Sequence, residues 1–117
     1  DWIFCGMASD SMHVLAEACL PEITSLYGRD ISAAEVDAIT CNRQSRPQLV
    51  ADVDAVSVSL KALAGHSPPD LHKAACRHST RRSLAFLQTC DAKAALSLPI
   101  RKDGVLAGLV LCHHQNL

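Results

Sequence analysis

The sequence predicts an α+β fold built on an antiparallel sheet. Three observations carry that reading. The last quarter of the chain is patterned as a long β-hairpin, with Asp103-Gly104 between two apolar runs. Two short apolar runs near the start, residues 2–8 and 12–20, have the length of strands. The segments between them carry helical spacing and helix-capping residues, so strands come first and last with helices between, as in α+β domains. The 117 residues suffice for one domain with a single core.

Residues 2–8, WIFCGMA, are apolar throughout and fit a buried strand. Ser9-Asp10-Ser11 reads as a turn. Residues 12–20, MHVLAEACL, form a second strand, with His13, Leu15, Glu17 and Cys19 alternating with Met12, Val14, Ala16 and Ala18. Pro21 ends it, because a residue without an N–H has no place in a central strand. Gly28 marks another turn. Ser32 and Glu35 have the S-x-x-E spacing of a capping box, in which two otherwise unpaired backbone donors are satisfied. A helix over 33–41 follows, with Val36, Ile39 and Thr40 on one face. Gln44 to Pro47 is loop, and residues 48–53, QLVADV, are a third strand.

Residues 56–64 read two ways. Val56, Val58 and Leu60 alternate as in a strand, whereas Lys61 to Ala64 suit a helix. Gly65 to Pro69 is a break, after which Pro69 starts a short helix over 70–75. Thr80 suits the N-cap of a helix over 81–90, with Ser83, Leu84 and Leu87 facing inward. The hairpin begins over 93–101, where Ala94, Leu96, Leu98 and Ile100 recur at period two. It turns at Lys102-Asp103-Gly104 and returns over 105–112, apolar apart from Gly108. Pro99 cannot donate to a ladder and is expected at a bulge, an edge or an unpaired point.

Composition narrows the function classes. A hydrophobic share of 49% against 20% charged residues describes a folded globule. A net charge of −1 recruits neither nucleic acid nor an anionic membrane, and 3% aromatics provide no base-stacking platform. Six cysteines, at 5, 19, 41, 76, 90 and 112, form no CxxC pair. The chain is long and apolar enough to fold without staples, so reduced thiols and a cytoplasmic setting are expected. No secretory signal opens the sequence, and the absent initiator Met marks a piece of a longer chain or a processed one. No Gly-rich phosphate loop, GxSxG or HExxH occurs, so this domain is expected not to be an enzyme. Cys76-x-His78 and Cys112-His113-His114 carry zinc-capable side chains, but not at the spacing of a zinc module, so no metal is expected. Asp52 and Asp54 would share one strand face, and read as a solvated strand end.

Leu49-Val50-Ala51-Asp52-Val53-Asp54 resembles the "IADVD" strand of the GAF domain of phytochromes, the bilin-binding photoreceptors. Cys76 to Leu87, CRHSTRRSLAFL, resembles that family's "LRSVSPxHLEYL" helix, and Ala94 to His114 its "ASMSISIxxDGxLWGLxxCHH" hairpin. Asp30-Ile31-Ser32 resembles the end of its "PASDIP" loop. The similarity covers most of residues 12–114, and ADVD with CHH is its most specific part. It implies a GAF-like antiparallel sheet with flanking helices and a ligand pocket on one face. Residues 1–117 would be a single GAF-like domain, cut from a multidomain bacterial signalling protein whose output domain lies elsewhere.

The resemblance also implies site residues. Asp30 falls at the family's pocket aspartate, Arg77 at a propionate-binding arginine, and Thr80 at a serine bonding the same propionate. Ser97 falls at a pocket serine and His113 at the histidine that bonds the terminal ring. Other positions depart. Ser83 stands where the family has a histidine near the pyrrole nitrogens, and Arg82 where plant-type members have the attachment cysteine. Gln48 replaces a second propionate arginine, and Ala95 a pocket serine. Most of these residues also have a plainer reading. In it His113 is a core histidine satisfied by a backbone partner, Asp30 an ordinary turn residue after Gly28, Arg77 a surface arginine, and Thr80 and Ser83 helix residues.

The resulting expectation is a phytochrome-like sensory module without covalently attached bilin. The alternatives are a structural dimerisation module, and a photoreceptor domain holding a tetrapyrrole non-covalently. A guanidinium at Arg77 suits carboxylates, so a small acidic ligand is one reading of the pocket. With Ser97 and His113 in the pocket, alternation assigns Ala95 and Leu111 to the same face. Leu96, Leu98, Ile100, Leu106 and Val110 then face the other way. An apolar face of that size rarely stays wet, so self-association, or cover by missing flanking helices, is expected.

Overall fold

Asp103 and Gly104 both adopt positive φ, 52° and 80°, and Lys102 faces Val105 across them. That is the two-residue hairpin loop whose twist matches its flanking strands. In order, the elements are β1 (Trp2–Ala8), β2 (Ser11–Ala18), β3 (Asp30–Ile31), α1 (Ala33–Thr40), β4 (Gln48–Val50), α2 (Arg81–Thr89), β5 (Ala94–Lys102) and β6 (Val105–His114). The computed structural model describes residues 2–8, 11–40, 46–71, 74–76 and 79–116, with residues 2–8, 38 and 40 described for their backbone. The strands make one six-stranded antiparallel sheet in the order β3-β2-β1-β6-β5-β4. The α+β reading therefore holds, with α1 and α2 on one face of the sheet.

The core lies between that face and the helices. Met12 and Val14 of β2, Ile31 of β3, Val36 and Ile39 of α1, Phe86 and Leu87 of α2, and Leu109 and Leu111 of β6 are all buried there. The capping box forms: the Ser32 N–H donates to Glu35 Oε2 at 2.9 Å and the Glu35 N–H to Ser32 Oγ at 3.4 Å. Thr80 caps α2, its Oγ1 accepting from the Ser83 N–H at 3.1 Å. Ser83 and Leu87 are buried as expected. Phe86 joins them, and Leu84 is only half-buried.

Several expectations need correction. The third strand stops at Val50 instead of running to residue 53. Asp52 Oδ1 accepts from the Asp54 N–H at 2.9 Å, and the Val53 N–H donates to the Lys93 carbonyl at 2.8 Å. The aspartate thus closes a local turn that competes with the ladder, so Asp52 and Asp54 do not alternate on a strand. Asp54 instead meets Lys93 Nζ at 2.6 Å. The short helix over 70–75 is absent among the described residues there. One turn closes from the Ala74 N–H to the Leu71 carbonyl at 2.9 Å, and the Ala75 carbonyl then accepts from the Leu49 N–H at 2.9 Å. The Ala75 carbonyl thereby covers an edge donor of β4. Residues 56–64 form neither strand nor helix. The second strand ends at Ala18, short of Pro21. Asp30–Ile31 forms a two-residue edge strand that the sequence reading left in a loop.

The hairpin carries one irregularity. Ile100 pairs with Gly108 but Arg101 pairs with Leu106, so Ala107 is an extra residue on β6. Such a bulge inverts the alternation beyond it. Leu106 therefore turns into the core at 8% exposure instead of joining the far face. Pro99 pairs regularly with Leu109, outside the bulge. β4 reaches along β5 only as far as Ser97, so Pro99 lies on the edge part of β5, where its missing donor costs little.

Candidate functional site

His113 leads into the site. It sits on β6 opposite Ala95, with its ring edge-on to Phe86 at 6.3 Å between centroids. Its Nε2 is sealed from solvent. Burial pushes its pKa down from 6.5 to about 4, so the imidazole is neutral at physiological pH. Beyond it opens a cleft of about 230 Å³, walled by Leu111 and His113, by Thr89, Cys90 and Asp91 at the end of α2, and by the segment from Cys19 to Arg29.

Glu17 builds that third wall. Its carboxylate accepts from the Leu26 N–H at 2.9 Å, the Tyr27 N–H at 3.3 Å and the Ser25 hydroxyl. Partial burial alone would raise its pKa, but the hydrogen bonds from Ser25, Leu26 and Tyr27 together outweigh it and hold the carboxyl below its usual range. The residue was read from sequence only as one member of an alternating strand. A glutamate on the inward side of a strand, followed by a Pro-containing loop, was the available signal.

The cleft also holds two thiols that sequence reasoning did not bring together, Cys19 and Cys90. Burial pushes the Cys90 thiol up. Local desolvation, with the charge of Glu17, does the same for Cys19. Both are therefore poor sources of thiolate.

A second hollow, of about 270 Å³, lies between α1 and α2, and shares Arg29 and Thr89 with the cleft. Arg29, Glu35, Arg82 and Phe86 line it. Arg29 meets Glu35 at 3.4 Å. The Ser32 hydroxyl, with smaller help from Arg29, holds the Glu35 carboxyl below its usual range. Two guanidiniums against one carboxylate leave a positive charge in excess among the lining residues.

The expected pocket residues divide. Ser83 and Ser97 come together, both buried, in a small cavity of about 20 Å³ that also touches Gln48, Phe86 and Leu111. That is room for about one water molecule. Gln48 Nε2 donates to the buried Ser79 Oγ at 3.0 Å. His113 lies on the same sheet face as Ser97, in the larger cleft. Thr80 is exposed, with its hydroxyl engaged in the cap. Asp30 stands apart: its carboxylate meets His13 Nδ1 at 2.7 Å at the sheet edge. Arg77 lies outside the described residues. Among the described residues, no three or more His, Cys, Asp or Glu side chains group to hold a metal ion. No helix among them is long and apolar enough to cross a membrane.

No protein-family model matches the chain, and no curated protein matches it. Solved structures do. The chromophore-binding domain of a Stigmatella aurantiaca phytochrome matches with a TM-score of 0.85 at 24% identity, over 98% of this chain and 39% of that one. The fold is that of a phytochrome-type, GAF-like domain. The chromophore-binding domain of an unusual bacteriophytochrome from R. palustris gives 0.80 at 21% identity, over 97% of this chain and 40% of that one. The photosensory core module of the Stigmatella aurantiaca phytochrome gives 0.85 at 24%, with 98% of this chain and 24% of that one covered. This chain thus spans about two fifths of the length of the chromophore-binding domains it resembles.

Among the described residues, no thiol with a lowered pKa lines the cleft. Arg82, which the resemblance aligns with the plant-type attachment cysteine, lines the hollow between the helices. The thiols that do reach the cleft, Cys19 and Cys90, are held protonated. Glu17, Glu22 and Asp91 bring three carboxylates to the cleft wall, against the one guanidinium of Arg29 among the described lining residues. A volume of about 230 Å³ is also below the ~300–1,000 Å³ of pockets for drug-sized ligands.

Proposed function

We propose that this chain is a phytochrome-like sensory module that binds its ligand without a covalent bond. The ligand is a small carboxylate-bearing molecule seated between α1 and α2. One observation carries this reading: Arg29 and Arg82 line a single hollow in which, among the described residues, Glu35 alone brings a counter-charge. Guanidiniums stay charged at all working pH values and meet carboxylates through paired N–H donors. Phe86 adds an apolar wall, and its ring also contacts His113. Occupancy of the hollow can therefore bear on the β6 side of the core. The domain acts as a non-enzymatic sensing or relay unit within a longer cytoplasmic signalling protein.

The test has two arms. Purified protein is mixed with biliverdin, denatured, and inspected for zinc-enhanced fluorescence on the protein band. No fluorescent band is expected. A band that disappears on replacing one cysteine would overturn the non-covalent reading. In the second arm, small mono- and dicarboxylates are screened by thermal unfolding. A stabilising carboxylate should lose its effect in Arg82→Gln, and stabilisation that survives Arg82→Gln with Arg29→Gln places the ligand elsewhere. A tetrapyrrole held non-covalently has one observation in its favour, that the two hollows meet at Arg29 and Thr89. Its signature is a visible absorption band that vanishes on denaturation.

A further inference from the structure

The hollow between α1 and α2 has two kinds of wall. Its charged residues are Arg29, Glu35 and Arg82, and its apolar ones are Ala34, Ala85 and Phe86. Ala34 comes from the first turn of α1 and Ala85 from the middle of α2. With nothing longer than a methyl group at either position, the helices leave a slot of about 270 Å³. Phe86 belongs to the buried core and adds an aromatic wall.

The charges are unequally committed. Glu35 already accepts from the Ser32 N–H at 2.9 Å and from the Ser32 hydroxyl at 2.7 Å. Arg29 reaches it only at 3.4 Å, so its guanidinium keeps N–H donors for another acceptor. The backbone of Arg29 is fixed, its N–H donating to the Leu26 carbonyl and its carbonyl accepting from the Val14 N–H, both at 3.0 Å. Arg82 forms no ion pair among the described residues.

We infer that the ligand of this hollow is an aromatic monocarboxylate, one flat ring carrying one carboxylate, and that Glu35 is the residue that excludes a second charge. The inference rests on the carboxylate reading of the hollow and narrows it. Two guanidiniums against one carboxylate leave a place for a single negative charge. One ligand carboxylate neutralises that excess, whereas a second stands beside Glu35 as a like charge. A slot walled by methyl groups on two helices suits a flat body, and Phe86 suits an aromatic one. A rigid ring also loses less conformational freedom on binding than an alkyl chain of similar size. The volume lies below the ~300–1,000 Å³ of pockets for drug-sized ligands, which limits the body to about one ring.

Titrations of the purified chain with benzoate, acetate and phthalate, followed by nitrogen-15 NMR, test the class. Benzoate and acetate share a carboxylate and differ by the ring; phthalate adds a second carboxylate to the same ring. Benzoate is expected to shift the amides of Ala34, Ala85 and Phe86, and to bind about tenfold more tightly than acetate. It should also bind about tenfold more tightly than phthalate. Glu35→Gln keeps a capping side chain at that position and removes its charge, so the difference between benzoate and phthalate should close. Ala85→Leu fills the slot, and should erase the preference for benzoate while acetate still binds. If no carboxylate binds, or none loses affinity in Arg82→Gln, the carboxylate reading falls and this inference falls with it. If carboxylates bind through Arg82 but acetate or phthalate matches benzoate in the wild type, the carboxylate reading stands and this inference is refuted. A difference between benzoate and phthalate that persists in Glu35→Gln overturns the role given to Glu35.

Discussion

Acidification should weaken this fold through His113. Burial lowers its pKa from 6.5 to about 4. In the unfolded chain the imidazole takes up a proton as the pH falls through about 6.5, whereas in the folded chain it stays neutral until about 4. The unfolded state thus binds more protons across that window, and stability falls as pH falls. The gap between the two values, at about 1.36 kcal/mol per pH unit, gives a loss of roughly 3 kcal/mol by pH 4 and about 2 kcal/mol at pH 5. Above pH 7 the contribution is constant. Urea unfolding at pH 7, 6 and 5, followed by circular dichroism, reads the effect. The wild type should lose about 2 kcal/mol more than His113→Gln between pH 7 and 5. Glu17 and Glu35 are carboxylates held below their ordinary value of 4.5, so their own losses come at lower pH and leave this window to the histidine. Parallel pH profiles for the two proteins would refute the reasoning, as would a His113 imidazole resonance that titrates near 6.5.

Three further outcomes follow from local geometry. Thr80→Ala removes the acceptor of the Ser83 N–H and should cost about 1 kcal/mol in urea unfolding. Gly104→Ala meets no steric obstacle but forces a side chain onto a φ of 80°, so a loss of about 1 kcal/mol is expected, and Gly104→Asn should recover part of it. Glu17→Ala frees the segment that walls the cleft, and the amides of Leu26 and Tyr27 should exchange with solvent about tenfold faster while those of β5 are unchanged.

What could be read from the sequence was whatever a few neighbouring residues decide. The Ser32–Glu35 box, the Thr80 cap and the Asp103-Gly104 turn each act over two to four residues, and each forms. Long-range pairing was less legible. Nothing local in Asp30-Ile31 marks a strand; its partner is Met12–His13, far back in the chain. The extra residue Ala107 left no sign among apolar neighbours, and it reversed the facing of Leu106. Asp52 reads as part of a strand until its side chain closes on the Asp54 N–H. The site was legible in the same measure. Ser83, Ser97 and His113 meet because strand alternation and helix spacing put them there. The cleft wall depends on Glu17 reaching a loop eight to ten residues ahead, which no periodicity encodes.

The segment from Asp54 to Ala74 leaves and rejoins the molecule at one margin of the sheet. It departs where the Val53 N–H meets Lys93 and returns where the Ala75 carbonyl meets Leu49. It is in effect a ring tied at two neighbouring knots. The knots fix where the segment leaves and rejoins the sheet, and the length between them sets the entropy of closing the ring. Doubling the length of such a ring costs only about 0.6 kcal/mol in closure entropy. Inserted sequence, even a small folded unit, can therefore be carried there as an accessory without reworking the strands beneath it.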